Sequence, residues 1–195
     1  MSDSVSQYLK EKVFARKCEG NFRSLFLSGN NVDFFSNDYL GIATQNSLKT
    51  LIEKKINEFD KSPRLYGATG SRLLSGNTSF AEELEHVLAQ MHQSEAALLF
   101  PSGYMANLGV LSSIPYKNAT IIYDELVHAS MHDGIRMSKA KSLSFSHNDL
   151  NDLQDKLKKA DGLKFIAIEA LYSMDGDFAP LGEIVSLAKE YDAAI

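Results

Sequence analysis

The chain has 195 residues, enough to bury one full core and at most two, and its 44% hydrophobic and 23% charged content is that of a globular protein. A net charge of -5 gives no electrostatic reason to expect nucleic acid or an anionic membrane as partner. The single cysteine, Cys18, excludes an internal disulfide framework, and no apolar run approaches the about 18 residues of a membrane span. The opening MSDSVSQYLKEK lacks an apolar segment behind a basic flank, so no secretory signal is read there and a cytoplasmic location is expected.

In chain order, Val5, Tyr8, Leu9 and Val13 recur at helical spacing and predict a short amphipathic helix. Residues 18–33 are polar, with Leu25-Phe26-Leu27 in their midst, and read as a loop with one or two short strands. In FFSNDYLGIA (34–43), aromatics lead into a polar turn at Asn37, Asp38 and Tyr39. Leu48, Leu51, Ile52, Ile56 and Phe59 predict a helix that ends before Pro63. GATGSRLLSGN (67–77) reads as a glycine-punctuated loop. Phe80, Leu84, Val87, Leu88 and Met91 predict the next helix, with Ser79 and Glu82 spaced as a capping box.

From residue 96 the rhythm alternates. AALLF (96–100) reads as a buried strand, followed by a helix over 104–114 that stops at Pro115. TIIYD (120–124) predicts a strand and 128–138 a helix; KSLSFS (141–146) alternates as a strand; NDLNDLQDKLKKA is a helix capped by Asn148. KFIAIEAL (164–171) is a buried strand, then a helix carries Leu181, Ile184, Val185, Ala188 and Tyr191 on one face, and Ala193-Ala194-Ile195 opens a further strand. Strands alternating with helices imply an α/β three-layer sandwich, a mainly parallel sheet with helices on both faces. A chain ending inside a buried strand is expected to be the first half of a larger protein.

Four stretches could carry chemistry. In FPSGYMANLG (100–109) a strand ends and a helix begins near Tyr104; free amides at a helix start attract anions, and glycine lets backbone approach a phosphate. The alternative is a plain strand-to-helix turn. The 67–77 loop lacks Gly-Lys-Ser/Thr and G-x-G-x-x-G, so it is either a connector or a place where Arg72 meets an anion. His128 and His132 stand four apart, but Ala129 follows the first and no third ligand is evident, so no metal site is expected. His128 at a strand-to-helix junction either stacks on a planar ligand or caps the helix. In EALYSMDGD (169–177), Ser173 can bond a ligand oxygen, Asp175-Gly176 marks a turn, and Glu169 must find a partner late in an apolar strand. An anion cup at Gly103-Tyr104, a flat ring at His128 and a hydroxyl at Ser173 suit a planar phosphorylated ligand.

NDYLG, GATGSRLLSGN, LLFPSGYMAN, LVHASMHDGIR and YSMDGD resemble, in order and spacing, the α-oxoamine synthase family of fold-type I enzymes that depend on pyridoxal 5′-phosphate (PLP), from about residue 20 onward. GSRLLSGN and MDGDFAPL look most like the biotin-pathway member; DGIRMSKAK is also similar to glycine C-acetyltransferase (2-amino-3-ketobutyrate CoA ligase). The resemblance implies an acyltransferase that condenses an amino acid, L-alanine in the biotin branch, with an acyl thioester, pimeloyl-CoA or pimeloyl carrier protein, with loss of carbon dioxide. It implies PLP held through its phosphate by Gly103 and Tyr104, stacked on His128, the one catalytic residue, and bonded at its ring hydroxyl by Ser173. Arg23 and Asn37 match substrate-contacting positions, and a homodimer is implied, with the 67–77 loop reaching across its interface. Residues 1–45 would form an N-terminal arm with short strands and 46–195 a PLP-binding large domain, incomplete at its C-terminal end. The family's Schiff-base lysine and its aspartate on the pyridine nitrogen are expected beyond position 195, so the chain alone is expected to be inactive. Rival readings are another fold-type I enzyme, such as an aminotransferase, and a non-catalytic fragment or partner subunit.

Overall fold

The computed structural model describes residues 3–25, 27, 32–44, 46–58 and 67–195. The chain divides into two compact units, Met1–Thr69 and Gly70–Ile195.

In the first unit, α1 (Asp3–Cys18) and α2 (Asn46–Glu58) are the regular elements among the described residues. The helical spacing forms α1, but Val5, Tyr8, Leu9 and Val13 all lie exposed, so the expected apolar stripe is not buried. No strand forms among the described residues of 18–33. α2 carries Leu48, Leu51, Ile52 and Ile56 as predicted; Phe59 and the stop at Pro63 lie outside the described residues. The Asn-Asp-Tyr turn is organised by Asp38: its Oδ2 accepts the Ala43 amide at 3.0 Å and its carbonyl accepts the Gly41 amide at 2.9 Å.

The second unit opens with a single π-helical turn at Arg72–Gly76, then α3 (Ser79–Met91). The cap of α3 is Thr78, whose hydroxyl accepts the Ala81 amide; Ser79 is already helical, so the capping box expected from Ser79 and Glu82 is not made. Residues 96–100 take no regular structure and pair with no strand among the described residues, and Leu98 is exposed, so the expected buried strand does not form. α4 (Gly103–Ser113) follows and stops before Pro115.

From there strand and helix alternate: β1 (Ala119–Asp124), α5 (Ala129–Met137), β2 (Lys141–Phe145), α6 (Leu150–Lys159), β3 (Leu163–Ala167), α7 (Leu181–Glu190) and β4 (Ala193–Ala194). Two boundaries move. Asp149, not Asn148, caps α6, accepting the Asn151 and Asp152 amides, while Asn148 takes a left-handed conformation at φ 56°. β3 ends at Ala167, so Glu169 lies beyond the ladder rather than within a strand.

The four strands pair in parallel in the order β2-β1-β3-β4. Ile121 and Ile122 point to opposite faces of β1, and both are fully buried, so both faces are covered. Right-handed crossovers assign the covers: β1 moves to β2 through α5, and β2 returns to β3 through α6, so α5 lies on one face and α6 and α7 on the other. Each helix turns an i,i+4 pair inward: Met131 and Ile135 on α5, Leu153 and Leu157 on α6, Ile184 and Ala188 on α7. Burying each large side chain contributes about 1.5–3 kcal/mol. α5 also packs closely on α4. A Cβ built on Gly134 would stand 2.9 Å from the Leu111 Cβ and 3.0 Å from the Asn107 carbonyl oxygen, so only glycine fits that crossing without displacement.

Candidate active site

β1 and β3 are neighbours, yet their outgoing helices leave to opposite faces. A crevice opens outside the carboxyl ends of such a strand pair, the place where open α/β sheets bind ligands. His128 follows β1, and Glu169, Tyr172 and Ser173 follow β3.

His128 caps α5. Its Nδ1 accepts the Ser130 amide at 3.2 Å and lies 2.7 Å from the Ser130 hydroxyl, which in turn accepts from Asn107 Nδ2 at 3.0 Å. With Nδ1 facing donors, the ring proton sits on Nε2. Ser130 is fully buried, so α4 and α5 together fix the imidazole, whose residue remains exposed at the rim. Capping and solvent exposure therefore coexist in one residue.

The start of α4 lies beside it. The Ser102 hydroxyl caps α4 through the Met105 amide at 3.2 Å. The amides of Gly103 and Tyr104, in the first turn, have no intrahelical carbonyl to bond. A Cβ built on Gly103 meets nothing within 4 Å, so the space beside that residue is open. The Tyr104 ring stands edge-on to His128, centroids 6.2 Å apart at 83°. Its hydroxyl donates to Asp133, which also pairs with Arg136. That donated bond raises the Tyr104 phenol above its ordinary range, and Tyr104, then Arg136, hold Asp133 below the usual carboxylate range.

On the β3 side, Glu169 accepts the His128 amide, the partner its position in the sequence demanded. The Glu169 amide in turn donates to the Tyr172 hydroxyl at 3.4 Å. A tight turn carries Ser173: the Gly176 amide bonds the Tyr172 carbonyl at 2.8 Å, and the Tyr172 amide bonds the Asp177 carbonyl at 3.0 Å. Ser173 is exposed on that turn. The structure thus brings Tyr104 into contact with His128 and ties the Ser173 turn to His128 through Tyr172 and Glu169.

A third strand end joins them, unforeseen from sequence. His147, just beyond β2, has Nδ1 2.9 Å from Asp124 Oδ1 and Nε2 2.9 Å from Asp177 Oδ2. Asp124, then Asp177, raise the imidazole above its ordinary value against the opposing effect of burial, and His147 lowers Asp177. Burial pushes the Tyr172 phenol well up. The signal was present in Asp124, a carboxylate closing the apolar run TIIYD, and in the polar SHND after β2.

Arg72 and His132 lie elsewhere. Arg72 is committed to Glu85, with Nη2 2.9 Å from Oε2, and to Asn77 Oδ1 at 2.9 Å, so its guanidinium braces its own loop. His132 packs edge-on against Tyr123 at 5.4 Å, and no three His, Cys, Asp or Glu side chains among the described residues are grouped to hold a metal. Arg23 and Asn37 belong to the first unit, where both are exposed. No helix among the described residues is long and apolar enough to cross a membrane.

An exposed imidazole, free first-turn amides and the open space beside Gly103, set at a strand-end crevice, fit a flat ligand with an anionic group. Comparison with known proteins agrees. The family model "Aminotransferase class I and II" matches residues 30–195. The chain is 43% identical over 196 residues to 8-amino-7-oxononanoate synthase of Lysinibacillus sphaericus, covering 97% of this chain and 49% of that protein. It is 44% identical over 168 residues to 8-amino-7-oxononanoate synthase 2 of Bacillus subtilis, covering 85% and 42%. The chain spans about half the length of the curated relatives it matches. Among solved structures, serine palmitoyltransferase from S. paucimobilis with a bound PLP–myriocin aldimine superposes with a TM-score of 0.81 at 27% identity, covering 98% of this chain and 52% of that one. 8-Amino-7-oxononanoate synthase from Francisella tularensis does so with 0.65 at 32% identity, covering 81% and 42%. The chain therefore belongs to the aminotransferase class I and II family of PLP-dependent fold-type I enzymes, within its α-oxoamine synthase branch.

Proposed function

We propose that the protein serves the PLP-dependent condensation of L-alanine with a pimeloyl thioester, on CoA or on a carrier protein, with loss of carbon dioxide, in biotin synthesis. The names of its relatives support the biotin branch over glycine C-acetyltransferase. PLP, when bound, supplies the electron sink for negative charge at the α-carbon of the amino acid. The protein's own groups do the rest. The Gly103 and Tyr104 amides hold the phosphate, backed by the positive end of α4. His128 lies flat against the pyridine ring, its tautomer set by Ser130 and Asn107. Ser173 bonds the ring hydroxyl. Arg23 and Asn37 are assigned to the substrate on motif match alone. Residues 1–45 act as an arm to a cofactor domain over 46–195, in a cytoplasmic homodimer.

The observation that carries this reading is the placement of Tyr104 and His128, in edge contact, at the first turn of α4 and the β1–β3 crevice. Titrating the 195-residue chain with PLP and with unphosphorylated pyridoxal, followed by tyrosine fluorescence, tests it. PLP is expected to bind at least about tenfold tighter, the worth of one charge-assisted hydrogen bond. Equal binding, or none, removes the phosphate cup. Thioester-dependent CoA release by the full-length protein, which carries the family's lysine, separates the branches: release from a pimeloyl thioester with L-alanine supports the proposal, and release confined to glycine overturns it.

A further inference from the structure

The His147 cluster has no part in the chemistry just described. Both of its ring nitrogens face carboxylates: Nδ1 lies 2.9 and 3.1 Å from the two oxygens of Asp124, and Nε2 lies 2.9 Å from Asp177. Asn148 Nδ2 also lies 3.2 Å from Nε2, but it donates to the same Asp177 oxygen at 2.9 Å. An ionised carboxylate only accepts, so with the amide proton directed at Asp177 both ring nitrogens donate and the ring is an imidazolium. Asp124 is fully buried at the end of β1 and needs that counter-charge. Its other bonds, from the Leu126 amide at 2.9 Å and the Asn148 amide at 2.9 Å, are neutral. The remaining titratable groups around the ring are Glu125, which accepts the His147 amide at 3.0 Å, Asp152, which holds the Ser146 amide at 2.9 Å, and Tyr172, whose ring meets the imidazole edge-on at 4.5 Å.

Asp177 and Tyr172 are the two ends of the turn that carries Ser173. His147 therefore grips that turn twice, by charge at Asp177 and by ring contact at Tyr172. Tyr172 passes the constraint on, its hydroxyl bonding the Glu169 amide while Glu169 holds His128. We infer that His147 is a positioning residue: as an imidazolium clamped between Asp124 and Asp177, it fixes the Ser173 turn against the end of β1 and, through Tyr172 and Glu169, the seat of His128. What the turn is positioned for rests on the PLP reading above; the clamp itself does not.

Two variants of the full 195-residue chain test this. Asp177→Asn keeps a hydrogen-bonding group opposite Nε2 but removes one charge at the partly exposed rim, so it spares the core; His147→Gln removes the ring. Three quantities are read: the pH titration of the His147 imidazole nitrogens by NMR, amide exchange at 169–178 against amides of β1, and PLP affinity. In the wild type the ring is expected to stay doubly protonated well above the ordinary histidine range, and to titrate lower in Asp177→Asn. Both variants are expected to speed exchange in 172–177 while β1 keeps its protection, and to weaken PLP about tenfold, the worth of one hydrogen bond to a charged group. A ring with an ordinary titration, or Asp177→Asn exchange that rises over the whole sheet or not at all in the turn, overturns the clamp. If His147→Gln fails to fold, Asp177→Asn decides. Failure of PLP to bind even the wild type, with the titration and exchange as expected, overturns the cofactor reading and leaves the clamp supported.

Discussion

The backbone amide of His128 donates to the carboxylate of Glu169, joining the ends of two adjacent parallel strands across the crevice. The bond fixes where α5 begins and so where the imidazole sits. Glu169→Ala leaves that amide without its acceptor. PLP affinity is expected to fall about tenfold and stability by about 1–2 kcal/mol, as for loss of a hydrogen bond to a charged group. Fluorescence titration and urea unfolding check the two effects; unchanged PLP binding would show that His128 holds its place unaided.

Two glycines give opposite outcomes on substitution by alanine. At Gly134 the added methyl meets Leu111 and Asn107 at 3.0 Å or less, so Gly134→Ala is expected to destabilise by about 1–3 kcal/mol through the α4–α5 contact. At Gly103 the methyl enters open space, so Gly103→Ala is expected to change stability by no more than about 0.5 kcal/mol. The methyl stands beside the first-turn amides assigned to the phosphate, however, so PLP binding is expected to weaken while pyridoxal binding does not. Urea midpoints and paired titrations on both variants check this.

Arg72, then the Leu99 amide at 2.8 Å, hold the Glu85 carboxyl down at about 2. A carboxyl depressed in the folded state stabilises above its unfolded value near 4.3 and loses that stabilisation as pH falls toward about 2. The brace between the 67–77 loop and α3 is therefore expected to hold at pH 5 and to release toward pH 2. Arg72→Met removes the largest cause, so Glu85 is expected to titrate nearer the ordinary carboxylate range. Following the Glu85 side-chain resonance through an acid titration checks it; an unshifted titration in the variant would assign the effect to Leu99 alone.

His147 titrates in the opposite sense. Its folded value is raised by Asp124 and Asp177, so its contribution is complete below the unfolded value of about 6.5 and fades as pH rises through the folded one. Wild-type stability is expected to decline on the alkaline side of neutrality, and His147→Gln is expected to flatten that slope. Urea midpoints measured from pH 6 to pH 9 decide; parallel slopes in the two proteins would remove His147 as their source.

The elements whose order comes from local periodicity were readable in advance. β1, β2, α6 and α7 each carry their pattern within a dozen residues, and the parallel sheet follows from their alternation. Features decided by competition or by distance were not. Ser79 and Thr78, like Asn148 and Asp149, are adjacent residues that can both cap a helix, and in each pair the backbone conformation decides which one does. Ala96 to Phe100 has the composition of a buried strand, but strand formation needs a partner edge, which composition does not carry. The site divided the same way. Gly103, Tyr104, His128 and Ser173 lie in short motifs at strand ends. His147 drew no notice because its role is built by Asp124 and Asp177, which lie far from it in the chain and beside it only after folding.

The order β2-β1-β3-β4 also bears on how the protein emerges from a ribosome. β1 can pair with β2 as soon as α5 connects them, but its other edge waits until α6 has been made and β3 arrives. During that interval Ile121 and Ile122 sit on a strand with one row of unpaired amides and carbonyls, an open template for a neighbouring nascent chain. Slow translation between Ser146 and Leu163 would lengthen that exposure, and chaperone dependence is expected to concentrate there.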